Sequence, residues 1–208
     1  MRPWIPNAIS VLRIALVPVW LALAFDGRHA ALAGAKPSPL GPILVLIAIG
    51  VSDVVDGTLA RRFRLETNLG ATLDAIADKL AQISTVTFLA LLGAPAFTAL
   101  PRWLMVILAF RDLLLAVGWW VVHRKRGSVT TEHHWHGRAS SLLLFALVLA
   151  SLAGAQPSLI VVGSVAALLL VVPSTIAYLL GGWRQLKSDS AQGLGASTER
   201  SRERAATS

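Results

Sequence analysis

The stretch GVSDVVDGTLARR, residues 50–62, closes the apolar run PILVLIAIGV with two carboxylates, Asp53 and Asp56, and then turns basic at Arg61 and Arg62. Acids at the end of such a run need a physical reason. An aspartate at the centre of a bilayer costs about 2.5–3.5 kcal/mol on insertion scales. Asp53, Asp56, Asp74, Asp78 and Asp112 are five of the chain's eleven acidic residues, and all five fall inside apolar spans. Four of them left facing lipid would cost roughly 10–14 kcal/mol.

The surrounding chain reads as a membrane protein. Its 208 residues are 55% hydrophobic and only 14% charged, and the mean hydropathy is +0.65, well above an ordinary soluble domain. Apolar runs long enough to span a bilayer fall at about 8–25, 40–60, 70–93, 98–122, 138–154 and 158–181. The fold expected is therefore all-α, a polytopic membrane bundle of about six transmembrane helices. The first run lacks a suitably placed cleavage site and is read as a helix rather than a cleaved signal. The segments between runs, DGRHAALAGAKPSP, RRFRLETN, GAPAFTALP, HRKRGSVTTEHHWHG and AGAQPS, read as loops. The domain is expected over residues 1–187, and the polar stretch 188–208 as a disordered tail.

Charge orients the bundle. The net charge of +8 comes in short clusters between apolar runs, at Arg61, Arg62 and Arg64, at Arg124, Lys125, Arg126 and Arg138, and at Arg184 and Lys187. That pattern predicts cytosolic loops in a cytoplasmic membrane, both termini on the cytosolic side, and partners that are anionic lipid and phosphate rather than nucleic acid. Trp103, Trp119, Trp120 and Trp183 lie near span ends, where indoles form an interfacial belt. The absence of cysteine removes disulfides, thiolate metal sites and cysteine nucleophiles.

Spacing brings the acids together. Asp53 and Asp56 are three apart, and Asp74 and Asp78 four apart, so each pair shares a helix face within about 60° and 40°. The short arginine-rich loop makes the two helices antiparallel neighbours. Asp53 and Asp78 each lie about eight residues, roughly 12 Å, from its ends. Two divalent ions would cancel four carboxylates, and an all-oxygen set suits magnesium or manganese. Two alternatives stand beside this site. Intramembrane carboxylates also serve as ion sites in transporters, or the acids could simply pair with Arg13, Lys79 and Arg111. The adjoining arginine loop favours a phosphate-bearing ligand, and the small residues Gly57, Ala60, Gly70 and Ala71 leave backbone bare for close approach.

Taken together, Asp53-x2-Asp56-Gly57-x2-Ala60-Arg61-x8-Gly70-x3-Asp74-x3-Asp78 resembles the signature of the CDP-alcohol phosphatidyltransferases, with eight specified residues in 26 positions. The resemblance implies transfer of a phosphatidyl group from CDP-diacylglycerol to a polar alcohol, with release of CMP and dependence on two divalent cations, Mg2+ or Mn2+. It implies metal binding by Asp53, Asp56, Asp74 and Asp78, with Asp78 also the general base. It further implies that Gly57, Ala60, Arg61 and Gly70, with Asn7 and Ser10, help seat the CDP-lipid, and that a homodimer is the assembly to test.

The string Pro6-Asn7-x2-Ser10-x2-Arg13 and the run Leu73-Asp74-x3-Asp78-Lys79 are similar to those of phosphatidylglycerophosphate synthases and related cardiolipin synthases. Glycerol 3-phosphate is thus the expected acceptor, with Arg13, Arg111 and Arg138 as candidates for its phosphate. Arg13 stands about four residues, roughly 6 Å, past the expected membrane entry of the first helix, where an arginine is costly unless it faces an acid or a phosphate. Helix five reads Gly137-Arg138-Ala139-Ser140-Ser141-Leu142, without the second basic residue and the glutamine of many glycerophosphate enzymes. Phosphatidylinositol phosphate synthase and cardiolipin synthase therefore remain alternatives. His133, His134 and His136, beside Glu132, read as a solvated loop, with metal binding as the alternative.

Overall fold

A computed structural model describes residues 4–63, 68–126, 136–173 and 175–176, with side chains left aside at 4–8, 56–63, 68–69, 71, 119–126 and 136–139. These residues form helices α1 (Trp4–Leu32), α2 (Leu40–Phe63), α3 (Asn68–Leu92), α4 (Arg102–Arg126) and α5 (His136–Leu152), and α6 (Pro157–Pro173). The fold is all-α, as composition and run lengths predict. The tail expected at 188–208, and His133 and His134, lie outside the described residues.

Local chemistry sets the helix ends. Pro39, Pro101 and Gln156 begin helices by accepting from the backbone N–H of Ile43, Leu104 and both Leu159 and Ile160, respectively. Pro157 opens α6, where a missing N–H costs nothing. Helices α1 and α5 end in the same way, on Leu-Ala-Gly-Ala. Gly34 and Gly154 take left-handed φ values of 78° and 77°. Ala35 N–H then reaches back to Ala30 and Ala155 N–H to Ala150, each at 2.9 Å, which satisfies carbonyls the helix leaves open.

Two expectations are corrected. Asp26, Gly27, Arg28 and His29, read as a loop, lie in a helix that runs to Leu32. The helix outlasts its apolar run because Arg28 still faces protein, its Nη1 donating to the carbonyl of Leu92 at 2.5 Å and to that of Ala94. The fourth helix starts at Arg102 rather than near 98. Residues 93–101 instead form an irregular connection whose Phe97 and Leu100 are buried in the core.

Helix α1 packs most extensively on α2 and α3, while α3 also meets α4 and α5, and α2 meets α5. The main core is aromatic at one end. Trp20 and Phe25 both pack edge-to-face on Phe88, at 5.7 and 5.0 Å between ring centroids, an arrangement that ring quadrupoles favour. The same end is tied across loops. Thr98 Oγ1 donates to the Ala155 carbonyl at 2.7 Å, and Ser151 Oγ donates to the Thr98 carbonyl.

Large apolar side chains are exposed around the bundle, among them Val11, Leu44, Leu113, Leu142 and Leu169. Water would penalise such a surface, whereas lipid accepts it. Ile9–Leu32 and Thr72–Leu92 are long and apolar enough to cross a membrane, and Leu40–Val55, Ser140–Leu152 and Pro157–Pro173 are shorter apolar helices. Hydroxyls within the helices bond inward. Thr85, Ser164 and Thr175 donate to the carbonyls of Ala81, Ile160 and Val171, four residues back, so none demands water.

Candidate active site

The site stands at the bundle end opposite the aromatic core, where α1 begins, α2 ends and α3 begins. From those ends Arg13, Asp53 and Asp78 lie nine or ten residues along their helices, or about 14–15 Å at 1.5 Å per residue. Antiparallel neighbours therefore deliver all three to one depth. Asp74, one turn before Asp78, joins them.

One oxygen from each of Asp53, Asp74 and Asp78 can gather within 4.8 Å of the others. Arg13 is at the middle, its side chain fully buried. Its Nη1 donates to Asp74 Oδ1 and Asp78 Oδ1, both at 2.8 Å, and lies 3.2 Å from Asp53 Oδ1. Nε and Nη2 of the same guanidinium are buried without a hydrogen-bond partner. A buried donor left unmatched costs on the order of 1–3 kcal/mol, so the arginine is only half satisfied by the acids around it. Helix spacing thus brings together three of the four predicted acids. Pairing with Arg13, weighed above as a structural alternative, is present as well.

The donor set fits a divalent cation. Three carboxylate oxygens converge on a point reached from two helices, with no sulfur or imidazole among them, and hard oxygen ligands are what Mg2+ and Mn2+ prefer. Together with Arg13 the three acids still carry a net charge of −2, from −3 and +1. The fourth expected ligand, Asp56, is on the described backbone of α2, one turn beyond Asp53, but its side chain lies outside the description. The same holds for Gly57, Ala60, Arg61, Asn7 and Arg138, and for His136 at the start of α5. Ser10, by contrast, is buried one turn before Arg13, and Gly70 is half-buried one turn before Asp74.

A second charged group lies beside the first. Lys79, next in sequence to Asp78, donates to Asp112 Oδ1 of α4 at 2.6 Å. Arg111 donates to Thr175 Oγ1 at 3.2 Å and meets Asp112 Oδ1 at 3.5 Å. The sequence anticipates pairing of Arg111 with Asp112; the bond to Thr175, across a 64-residue separation, leaves no mark in any motif. These residues carry a net charge of +1.

A cavity of about 480 Å³ opens from the acids between α2, α3 and α5. Asp53 and Asp78 form its polar end, and Ile49, Val54, Leu144, Phe145 and Val148 are among its apolar walls. A transferase serving a lipid donor and a water-soluble acceptor leads one to expect a polar cavity between helices at the cytosolic interface; a cavity between helices is present, but it is polar only at the acids and otherwise apolar. The available signal for the apolar part is Gly50, three residues before Asp53 and so on the same helix face, where a Cβ would come within 2.7 Å of the Phe145 ring.

Residues 3–182 match the family model for CDP-alcohol phosphatidyltransferase. The chain belongs to that family, whose members are divalent-metal-dependent membrane transferases acting on CDP-linked alcohols. Among its relatives, a cardiolipin synthase (CMP-forming) from Streptomyces coelicolor is 36% identical over 142 residues, 67% of this chain and 60% of that protein. A Mycobacterium tuberculosis protein named "Probable phosphatidylglycerophosphate synthase" is 31% identical over 192 residues, 88% of this chain and 86% of that one. The CDP-diacylglycerol–glycerol-3-phosphate 3-phosphatidyltransferase of Bacillus subtilis is 33% identical over 115 residues, 52% of this chain and 56% of its own length.

Proposed function

We propose that the protein transfers the phosphatidyl group of CDP-diacylglycerol to glycerol 3-phosphate, forming phosphatidylglycerophosphate and releasing CMP. The observation that carries this reading is the shape of the site. A largely apolar cavity between three helices ends on carboxylates that can hold a divalent cation, which matches a molecule with acyl chains at one end and a diphosphate at the other. The apolar walls suit acyl chains better than a path for hydrated ions. The acceptor is favoured by the Mycobacterium tuberculosis relative, which matches over most of both chains.

In this mechanism Asp53, Asp56, Asp74 and Asp78 would hold two cations, Mg2+ or Mn2+, which would supply positive charge against the diphosphate and the departing CMP. Asp78 is the most exposed of the three described acids, at 53% for its side chain against 46% and 40% for Asp53 and Asp74. It also lines the cavity, which favours it as the acceptor of the attacking hydroxyl's proton. The acceptor oxygen bonds to the phosphatidyl phosphorus while the bond to CMP breaks, its electron pair leaving on CMP. Gly57, Ala60, Arg61 and Gly70, with Asn7 and Ser10, seat the cytidine diphosphate. Arg13, Arg111 and Arg138 offer charge to the phosphate of the acceptor.

The protein acts as an integral protein of the cytoplasmic membrane. Its site faces the cytosol, since the basic clusters at the ends of α2 and α4 share the site's end of the bundle. Residues 1–187 form the working domain, and a homodimer is the assembly to test. The deciding assay supplies purified protein with CDP-diacylglycerol, Mn2+ or Mg2+, and glycerol 3-phosphate, inositol phosphate or phosphatidylglycerol in parallel. CMP release with glycerol 3-phosphate is expected. Release with phosphatidylglycerol alone would assign cardiolipin synthesis, the reading favoured by the identity to the Streptomyces protein. No release with any acceptor would remove the transferase assignment.

A further inference from the structure

We propose that Arg13 is a built-in counter-cation that competes with the divalent ion for the acid cage, so that the protein's own arginine weakens its affinity for metal. The inference rests on reading the cage as a divalent-cation site, and it adds a role that the acceptor chemistry does not require.

Hydrogen counting carries the argument. A guanidinium offers five N–H donors in a fixed plane. Nη1 has two of them and faces three carboxylates, bonding Asp74 and Asp78 at 2.8 Å while Asp53 waits at 3.2 Å. The other three donors, on Nε and Nη2, are buried without partners. One nitrogen is thus oversubscribed and two are idle. A site built to pair an arginine would turn its flat edge to a carboxylate and use both of the latter's oxygens. Here the arginine enters the cage point first, with Nη1 among the oxygens that a cation would ligate.

Both cannot hold those oxygens at full strength. A divalent ion draws ligands to about 2.0–2.6 Å, which leaves Asp53, Asp74 and Asp78 fewer lone pairs to offer Nη1. Arginine cannot shed its proton to make way. Its positive charge therefore stays close to the incoming dication and opposes it. The same charge offsets the mutual repulsion of three carboxylates brought together from two helices. Arg13 acts here as a positioning residue that holds the cage together at the cost of cation affinity.

The sign of one measurement tests this. Full-length protein purified in detergent and stripped with EDTA is titrated with Mn2+ alone, following the free-ion signal by electron paramagnetic resonance, for the wild type, Arg13→Gln and Arg13→Lys. Competition predicts that Arg13→Gln binds Mn2+ about tenfold more tightly or better, the scale expected for one unit charge removed from within a few ångströms of a dication. Arg13→Lys keeps the charge and stays near the wild type. Melting followed in parallel should show Arg13→Gln less stable than the wild type in EDTA but raised further by Mn2+. Should Arg13→Gln not survive stripping, it is purified in Mn2+ and its affinity read by back-titration with a chelator. Equal or weaker binding by Arg13→Gln overturns the proposal while leaving the metal site in place, as does Arg13→Lys matching the glutamine variant, since packing rather than charge would then be the cause. No Mn2+ binding by any of the three proteins would remove the cage as a cation site and the proposal with it.

Discussion

Asp78 differs from its neighbours by position rather than by type. It shares Arg13 with Asp74, yet it is the one that is both the most exposed and a wall of the cavity. Asp78→Asn keeps the size of the side chain and its ability to accept from Arg13, but cannot take up a proton. We expect transfer measured by CMP release to fall about 10²–10⁴-fold, the range typical of a lost general base, with the protein still inserted and folded. Retention of full activity would shift the base elsewhere. The aspartate positions were legible in the sequence because i,i+3 and i,i+4 spacing puts like residues on one face whatever the rest of the fold does. That Arg13 projects a single nitrogen among them was not, since the angle at which a third helix crosses a pair leaves no trace in spacing.

At the scale of elements, the bundle is secured at the end remote from the site. Arg28 on α1 donates to carbonyls at and just past the end of α3, where a helix has no N–H of its own to offer and a cation also suits the helix dipole. Arg28→Ala should cost about 1–2 kcal/mol, partly discounted because one of the two bonds is exposed. For a chain of this length that is about 2–8 °C in thermal midpoint, with CMP release at low temperature unchanged. Gly154→Ala tests the other fastening. A left-handed φ of 77° penalises any Cβ by about 1–2 kcal/mol, again with activity kept in the protein that remains folded. These fastenings explain where hydropathy misleads. Asp26 to His29 look like a loop because they are polar, but a helix continues as long as its backbone and one face find partners. Phe97 and Leu100 look like a membrane span because they are apolar, but they fill the core from an irregular segment. Apolar content reports burial, and only spacing and end chemistry report helix limits.

At the scale of the whole molecule, what matters is that helices packed closely at one end part at the other. α2, α3 and α5 leave about 480 Å³ between them, and Gly50, without a side chain, leaves part of that space open. Gly50 faces the Phe145 ring so closely that a methyl group in its place would stand 2.7 Å from Cζ and 2.9 Å from Cε2. The ring is the free end of a side chain and can swing, and the space open to it is the cavity itself. Gly50→Leu should therefore fill the cavity in two ways, by its own side chain and by the displaced Phe145. The carboxylates sit one turn further along, at the polar end of the cavity, and Gly50→Leu adds bulk at its apolar walls, so Mn2+ binding should change far less than use of the lipid. The Michaelis constant for CDP-diacylglycerol with long acyl chains should rise several-fold, since each methylene denied its place forfeits about 0.8 kcal/mol. A short-chain CDP-diacylglycerol, which leaves the deep end of the cavity empty, should be used almost as well as by the wild type. Equal impairment on both substrates would mean that the cavity does not hold acyl chains, and loss of Mn2+ binding would mean that the two ends of the site are not mechanically separate.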